Sequence, residues 1–119
     1  MTATRPPPAD RLLRVGPEAF DGRRLLRPGV WAVAFLADWC PYCRQFAPDF
    51  AGLAGPGREL AVADLSDDDG PLWERFEVEI VPSVIVFRDG EAVLRIDGRP
   101  MEGLRSEDLR RVDRVLAGT

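Results

Sequence analysis

Hydrophobic and polar positions change their period several times along this chain. Val30 to Ala37 is almost wholly apolar and follows the turn pair Pro28-Gly29. A short apolar run between turn signals predicts a strand buried on both faces. Glu59 to Leu65 alternates and predicts a second strand. Ser83 to Phe87 and Ala92 to Ile96 flank Arg88-Asp89-Gly90-Glu91, the signature of an antiparallel hairpin. Elsewhere the spacing is helical. Pro17-Glu18 opens a helix expected to reach about Leu26, since proline suits a first helical turn. Pro41 opens another, with Cys40 at its N-cap, Phe46 and Phe50 on one face, and Pro48 expected to kink it. Pro71 to Phe76 is a short helix carrying Trp73. Ser106 caps a last helix to about Ala117, which turns Leu109, Val112 and Leu116 inward. With a short strand over Arg11 to Val15, the order is β-α-β-α-β-α-β-β-α. That order implies an α/β domain over residues 11–119, a central mixed β-sheet flanked by helices on both faces. Residues 1–10, with Pro6-Pro7-Pro8, read as a disordered or extended arm.

Composition narrows the partners. The 119 residues suit one domain, and the net charge of -4 argues against nucleic acid or an anionic membrane as a partner. No window holds the run of apolar residues that a membrane span needs. Met1 to Asp10 lacks the apolar segment of a secretory signal, so a cytoplasmic monomer is expected. All 16 basic residues are arginine. The absence of histidine removes Cys-His and Ser-His-Asp pairs, and with them the commonest metal-binding side chain.

The remaining chemistry sits in Trp39-Cys40-Pro41-Tyr42-Cys43, which holds both cysteines of the chain. Cys40, placed at a helix N-terminus, faces free amides and the positive end of the helix dipole, which stabilise a thiolate. It is the expected nucleophile. Cys43 lies one turn on, inside the helix, where it would resolve a mixed disulfide. A bare C-x-x-C is also half of a zinc site, but its place between a buried strand and a helix favours redox chemistry. Val81-Pro82-Ser83 has two readings: a proline at a strand start, or a cis peptide beside the dithiol.

From about residue 11 to 118 the chain resembles the thioredoxin family. The resemblance rests on Ala37-Asp38-Trp39-Cys40-Pro41-Tyr42-Cys43, Pro48, Ile80-Val81-Pro82-Ser83, Phe87-Arg88-Asp89-Gly90 and Gly98. It implies the thioredoxin fold, a cis Pro82, attack by Cys40 and resolution by Cys43. It also implies a substrate groove lined by Trp39, Pro41, Tyr42, Val81, Pro82 and Gly98. No metal and no cofactor beyond the redox-active Cys40–Cys43 disulfide is implied. The implied partners are disulfide-containing proteins, with a reductase or glutathione as electron donor.

Three departures stand out. Pro41-Tyr42 is the dipeptide of glutaredoxins, where thioredoxins carry Gly-Pro, and it implies a less reducing couple. Ala34 occupies the strand position where many thioredoxins bury an aspartate, and Asp64 falls where the family often has a lysine. Asp64 is either a substitute proton acceptor for Cys43 or a solvated strand-end carboxylate. Arg99 to Gly103 resembles an insertion beside the groove, which either shapes partner choice through Met101 or is a tolerated loop. The leading expectation is a protein-disulfide reductase. The alternatives are a glutaredoxin-like reductase of glutathione mixed disulfides and a binding or chaperone module.

Overall fold

A computed structural model describes residues 12–55 and 58–118, so the expected arm over 1–10 lies outside the described residues. Five strands form one mixed sheet: β1 (Leu13–Val15), β4 (Val30–Leu36), β5 (Glu59–Asp64), β6 (Ser83–Arg88) and β7 (Glu91–Ile96), in the order β1-β5-β4-β6-β7. β5 pairs in parallel with β1 and β4, while β6 pairs antiparallel with β4 and β7. The apolar run becomes the central strand. Every residue of β4 after Val30 is buried, as expected for a strand covered on both faces.

Side chains alternate across that sheet. On one face, Phe35 and Phe87 pack against Phe20 and Phe76, with ring centroids 4.9–6.4 Å apart. Phe20 belongs to a small hairpin, β2 (Phe20–Asp21) and β3 (Arg24–Leu25), and Phe76 caps α2 (Pro71–Arg75). On the other face lie α1 (Pro41–Ala51) and α3 (Ser106–Ala117), whose Phe46, Leu109 and Val112 meet Val84 and Ile96.

The helix expected over 17–26 is absent. A single 3-10 turn, Pro17–Ala19, leads instead into the β2–β3 hairpin. Phe20 and Leu25 explain the change. Five residues apart, they would project from nearly opposite sides of a helix. In the hairpin they sit opposite each other, and both are buried. Gly22, at φ +60, takes the first loop position, the conformation a tight hairpin turn demands. The second hairpin forms as expected, with Asp89 at φ 49 and Gly90 at φ 94 in its two-residue turn. A side chain at Gly90 would meet the Leu25 carbonyl at 2.8 Å, and Leu25 N–H donates to the Gly90 carbonyl at 3.0 Å. The two hairpins are thus fastened together.

The last helix begins one residue earlier than expected. Arg105 is its N-cap, and the Asp108 carboxylate accepts the Arg105 amide at 2.8 Å. Arginine offers no acceptor for the first-turn amides, so the acid three residues on satisfies the helix start from inside.

Candidate functional site

The dithiol lies where β4 ends and α1 begins. Cys40 is the N-cap, in extended backbone, and Pro41 opens the helix as its first residue. α1 runs on through Pro48, which has no amide to donate to the turn before it. Both cysteines are free thiols with little exposed surface. The Cys40 thiol donates to the Val81 carbonyl at 3.6 Å. Cys43 lies deeper, and its sulfur accepts the Ala37 amide at 3.5 Å. Burial pushes the Cys43 thiol up to about 12; the Ala37 amide offsets part of this, and Cys40 adds to the rise. The pair is therefore asymmetric: one sulfur at a helix end, one protonated and enclosed.

The Val81-Pro82 peptide is cis, and it brings Val81 beside Cys40. Ser83 braces this turn, donating to the Ile80 carbonyl at 2.7 Å and accepting the Gly98 amide at 3.3 Å. A side chain at Gly98 would stand 2.5 Å from the Pro82 carbonyl oxygen, so only glycine fits there. Gly103 is pressed less closely: a Cβ there would lie 2.9 Å from Tyr42 Cβ and 3.4 Å from Pro82 Cδ. The structure thus gathers Cys40, Tyr42, Val81, Pro82, Gly98 and Gly103 into one contact cluster, of which Tyr42 is the least buried.

Trp39 forms the other flank. It is 50% exposed, stacks on Trp73 at 6.2 Å and 9°, and donates its indole N–H to the Ser66 carbonyl at 3.0 Å. Ser66 also accepts the Asp38 amide at 2.9 Å. Behind Cys43 is a cavity of ≈ 230 Å³ lined by Arg14, Leu36, Ala37, Asp38, Cys43, Arg44, Ala47, Val62, Asp64 and Ser66. Asp64 accepts the Ser66 amide and hydroxyl and pairs with Arg14 at 3.7 Å. The Ser66 hydroxyl above all, opposed by partial burial and helped by the Ser66 amide and Arg14, holds the Asp64 carboxyl below its ordinary value.

Ser66, Trp73 and Ser83 did not emerge from the sequence as site residues, and Gly103 did so only as the end of the expected insertion beside the groove. Ser83 had a local signal, since it follows Pro82 directly. The others reach the site only through the packing of distant segments. Among the described residues no group of three His, Cys, Asp or Glu side chains is placed to hold a metal.

The thioredoxin family model matches residues 13–109. A thioredoxin of Staphylococcus saprophyticus is 36% identical over 96 residues, covering 78% of this chain and 90% of the relative. A thioredoxin of Chlamydia pneumoniae is 31% identical over 85 residues, covering 71% of this chain and 81% of the relative. The solved structure of oxidised mitochondrial thioredoxin 3 from Saccharomyces cerevisiae is similar in fold, with TM-score 0.71 and 18% identity, over 92% of this chain and 99% of that one.

Proposed function

The chain belongs to the thioredoxin family and is a thiol–disulfide oxidoreductase; from that premise we propose how it reduces protein disulfides. The Cys40 thiolate attacks one sulfur of a substrate disulfide. A Cys40–substrate bond forms, the substrate S–S bond breaks, and the first substrate thiolate leaves. Cys43 then loses its proton and attacks the Cys40 sulfur. The Cys40–Cys43 disulfide forms and the second substrate thiolate is released, so two electrons pass from the dithiol to the substrate.

The observation that carries this assignment is the asymmetry of the pair. Cys40 sits at the N-cap against Val81, while burial holds Cys43 at about 12. A thiol so protonated near neutral pH needs a base for the second step. Asp64 shares the cavity behind Cys43 and is the acceptor we assign, through water in that cavity. Its lowered pKa makes it a weak base, so the proton moves as the sulfur–sulfur bond forms rather than beforehand. Trp39, Pro41, Tyr42, Val81, Pro82 and Gly98 line the groove in which the substrate lies. Pro41-Tyr42 between the cysteines makes the couple less reducing than the thioredoxin norm. The chain works as a cytoplasmic monomer, drawing its electrons from a reductase or glutathione. No described helix is long and apolar enough to cross a membrane.

The test is capture. Cys43→Ser should retain disulfide-containing proteins as mixed disulfides that dithiothreitol releases, and Cys40→Ser should retain none. The unaltered chain should reduce insulin disulfides. Capture by Cys40→Ser but not by Cys43→Ser would reverse the assignment.

A further inference from the structure

Among the described residues Met101 is the most exposed large hydrophobic side chain, at 83%, yet its backbone is tightly held. Its φ of 64 is left-handed, a region that glycine or asparagine enters freely and methionine rarely does. The loop around it is closed at both ends. Arg99 N–H donates to the Gly103 carbonyl at 3.0 Å, and Gly103 N–H donates back to the Arg99 carbonyl at 2.9 Å. Arg99 grips the buried Asp108 carboxylate with two guanidinium nitrogens, at 3.1 and 3.3 Å. Arg105 pairs with Glu102. Gly103 seats the loop directly on Tyr42 and Pro82.

These facts separate a built feature from a tolerated surface loop. A free loop would not be pinned to α3 and to Tyr42 and Pro82 beside the dithiol. Nor would it hold an apolar side chain in solvent on a backbone suited to glycine. We propose that Met101 is a specificity residue of the reductase: it contacts an aliphatic or aromatic side chain next to the substrate cysteine that Cys40 attacks. The occupant is an extended segment of a disulfide-bonded protein, because Gly103, two residues from Met101, sits against Tyr42 between the cysteines and against Pro82, whose neighbour Val81 bonds Cys40. The thioether is polarizable and unbranched, so one Met101 accommodates apolar side chains of several shapes. This inference rests on the reductase function proposed above.

Two disulfide-bonded peptides of equal charge provide the test, one with leucine beside the cysteine and one with glycine. Fully reduced full-length protein is mixed with each, and the single-turnover rate is read from thiol release. The unaltered chain should react about fivefold faster with the leucine peptide, the size expected for one apolar contact. Met101→Ala and Met101→Gly should abolish that preference while the glycine-peptide rate stays within about twofold. Met101→Leu should preserve it. Met101→Gly matches the left-handed backbone and should melt no lower than the unaltered chain, so lost preference there is not lost folding. Equal rates on the two peptides, or a preference that survives Met101→Gly, would overturn the proposal. Failure of the unaltered chain on both peptides would instead remove the reductase reading, and this proposal with it.

Discussion

At the scale of single residues, the site works by contrast between neighbours. Cys40 and Cys43 share a motif and a helix turn, yet one ends a helix and the other is sealed beneath it. The proton on Cys43 gives Asp64 its proposed role, and pH exposes that role. Asp64 has a lowered pKa and so stays ionised through the neutral range. Cys43, near 12, gains thiolate tenfold per pH unit. Asp64→Ala should therefore slow release of the second substrate thiol at least about tenfold at pH 6–7, a modest share of what general bases contribute. The deficit should shrink as pH rises, because self-ionisation of Cys43 takes over. A stopped-flow pH–rate profile that superimposes on the unaltered chain's would exclude Asp64. The reach of sequence reasoning shows at this scale too. Cys40, Cys43 and Pro82 carry local signatures, whereas Ser66 and Trp73 join the site only because the chain folds back to stack Trp73 on Trp39. No spacing rule reports such a contact.

At the scale of elements, the start of α3 couples helix stability to the site. Asp108 is 4% exposed and bonds both Arg99 and the Arg105 amide. Burial works to raise its carboxyl, but Arg99 and the Arg105 amide outweigh it and leave the pKa below the ordinary value. The sign follows: a carboxylate with a lowered folded pKa stabilises the fold above its unfolded value, and that stability is lost as pH falls through the folded value. Asp108→Asn should therefore cost about 1–2 kcal/mol at pH 7: the amide oxygen can still accept the Arg105 amide, but the charge paired with Arg99 is lost. The gap should narrow as pH falls below about 4, where the unfolded chain's carboxylate takes up a proton and the folded one follows at lower pH. Urea unfolding at pH 7 and pH 3 measures both; an equal gap at both would show that the charge is irrelevant. The elements also mark where sequence reading failed. β4, α1 and the β6–β7 hairpin were legible because each has one strong period or a turn signature. The 17–26 segment was not, because Phe20 and Leu25 fit a helix only loosely and the partners of Phe20, the rings of Phe35, Phe76 and Phe87, come from two distant strands and the end of α2.

At the scale of the whole molecule, the redox potential compares two states of the entire fold, dithiol and disulfide. With Pro41-Tyr42 between the cysteines, equilibration against a glutathione buffer should give about -180 to -230 mV, and a value near -270 mV would show that the dipeptide does not set it. The sequence by itself determined the central sheet, the position of the dithiol at a helix start and which sulfur lies at the helix end, because these rest on local periodicity and on residues adjacent in the chain. Only the tertiary structure decided what surrounds them. It placed Asp64 in the cavity behind Cys43, Gly103 against Tyr42 and Pro82, and Met101 on a braced left-handed turn. Such contacts join segments tens of residues apart. Their energies depend on distances that hydrophobic pattern leaves open and that packing alone fixes.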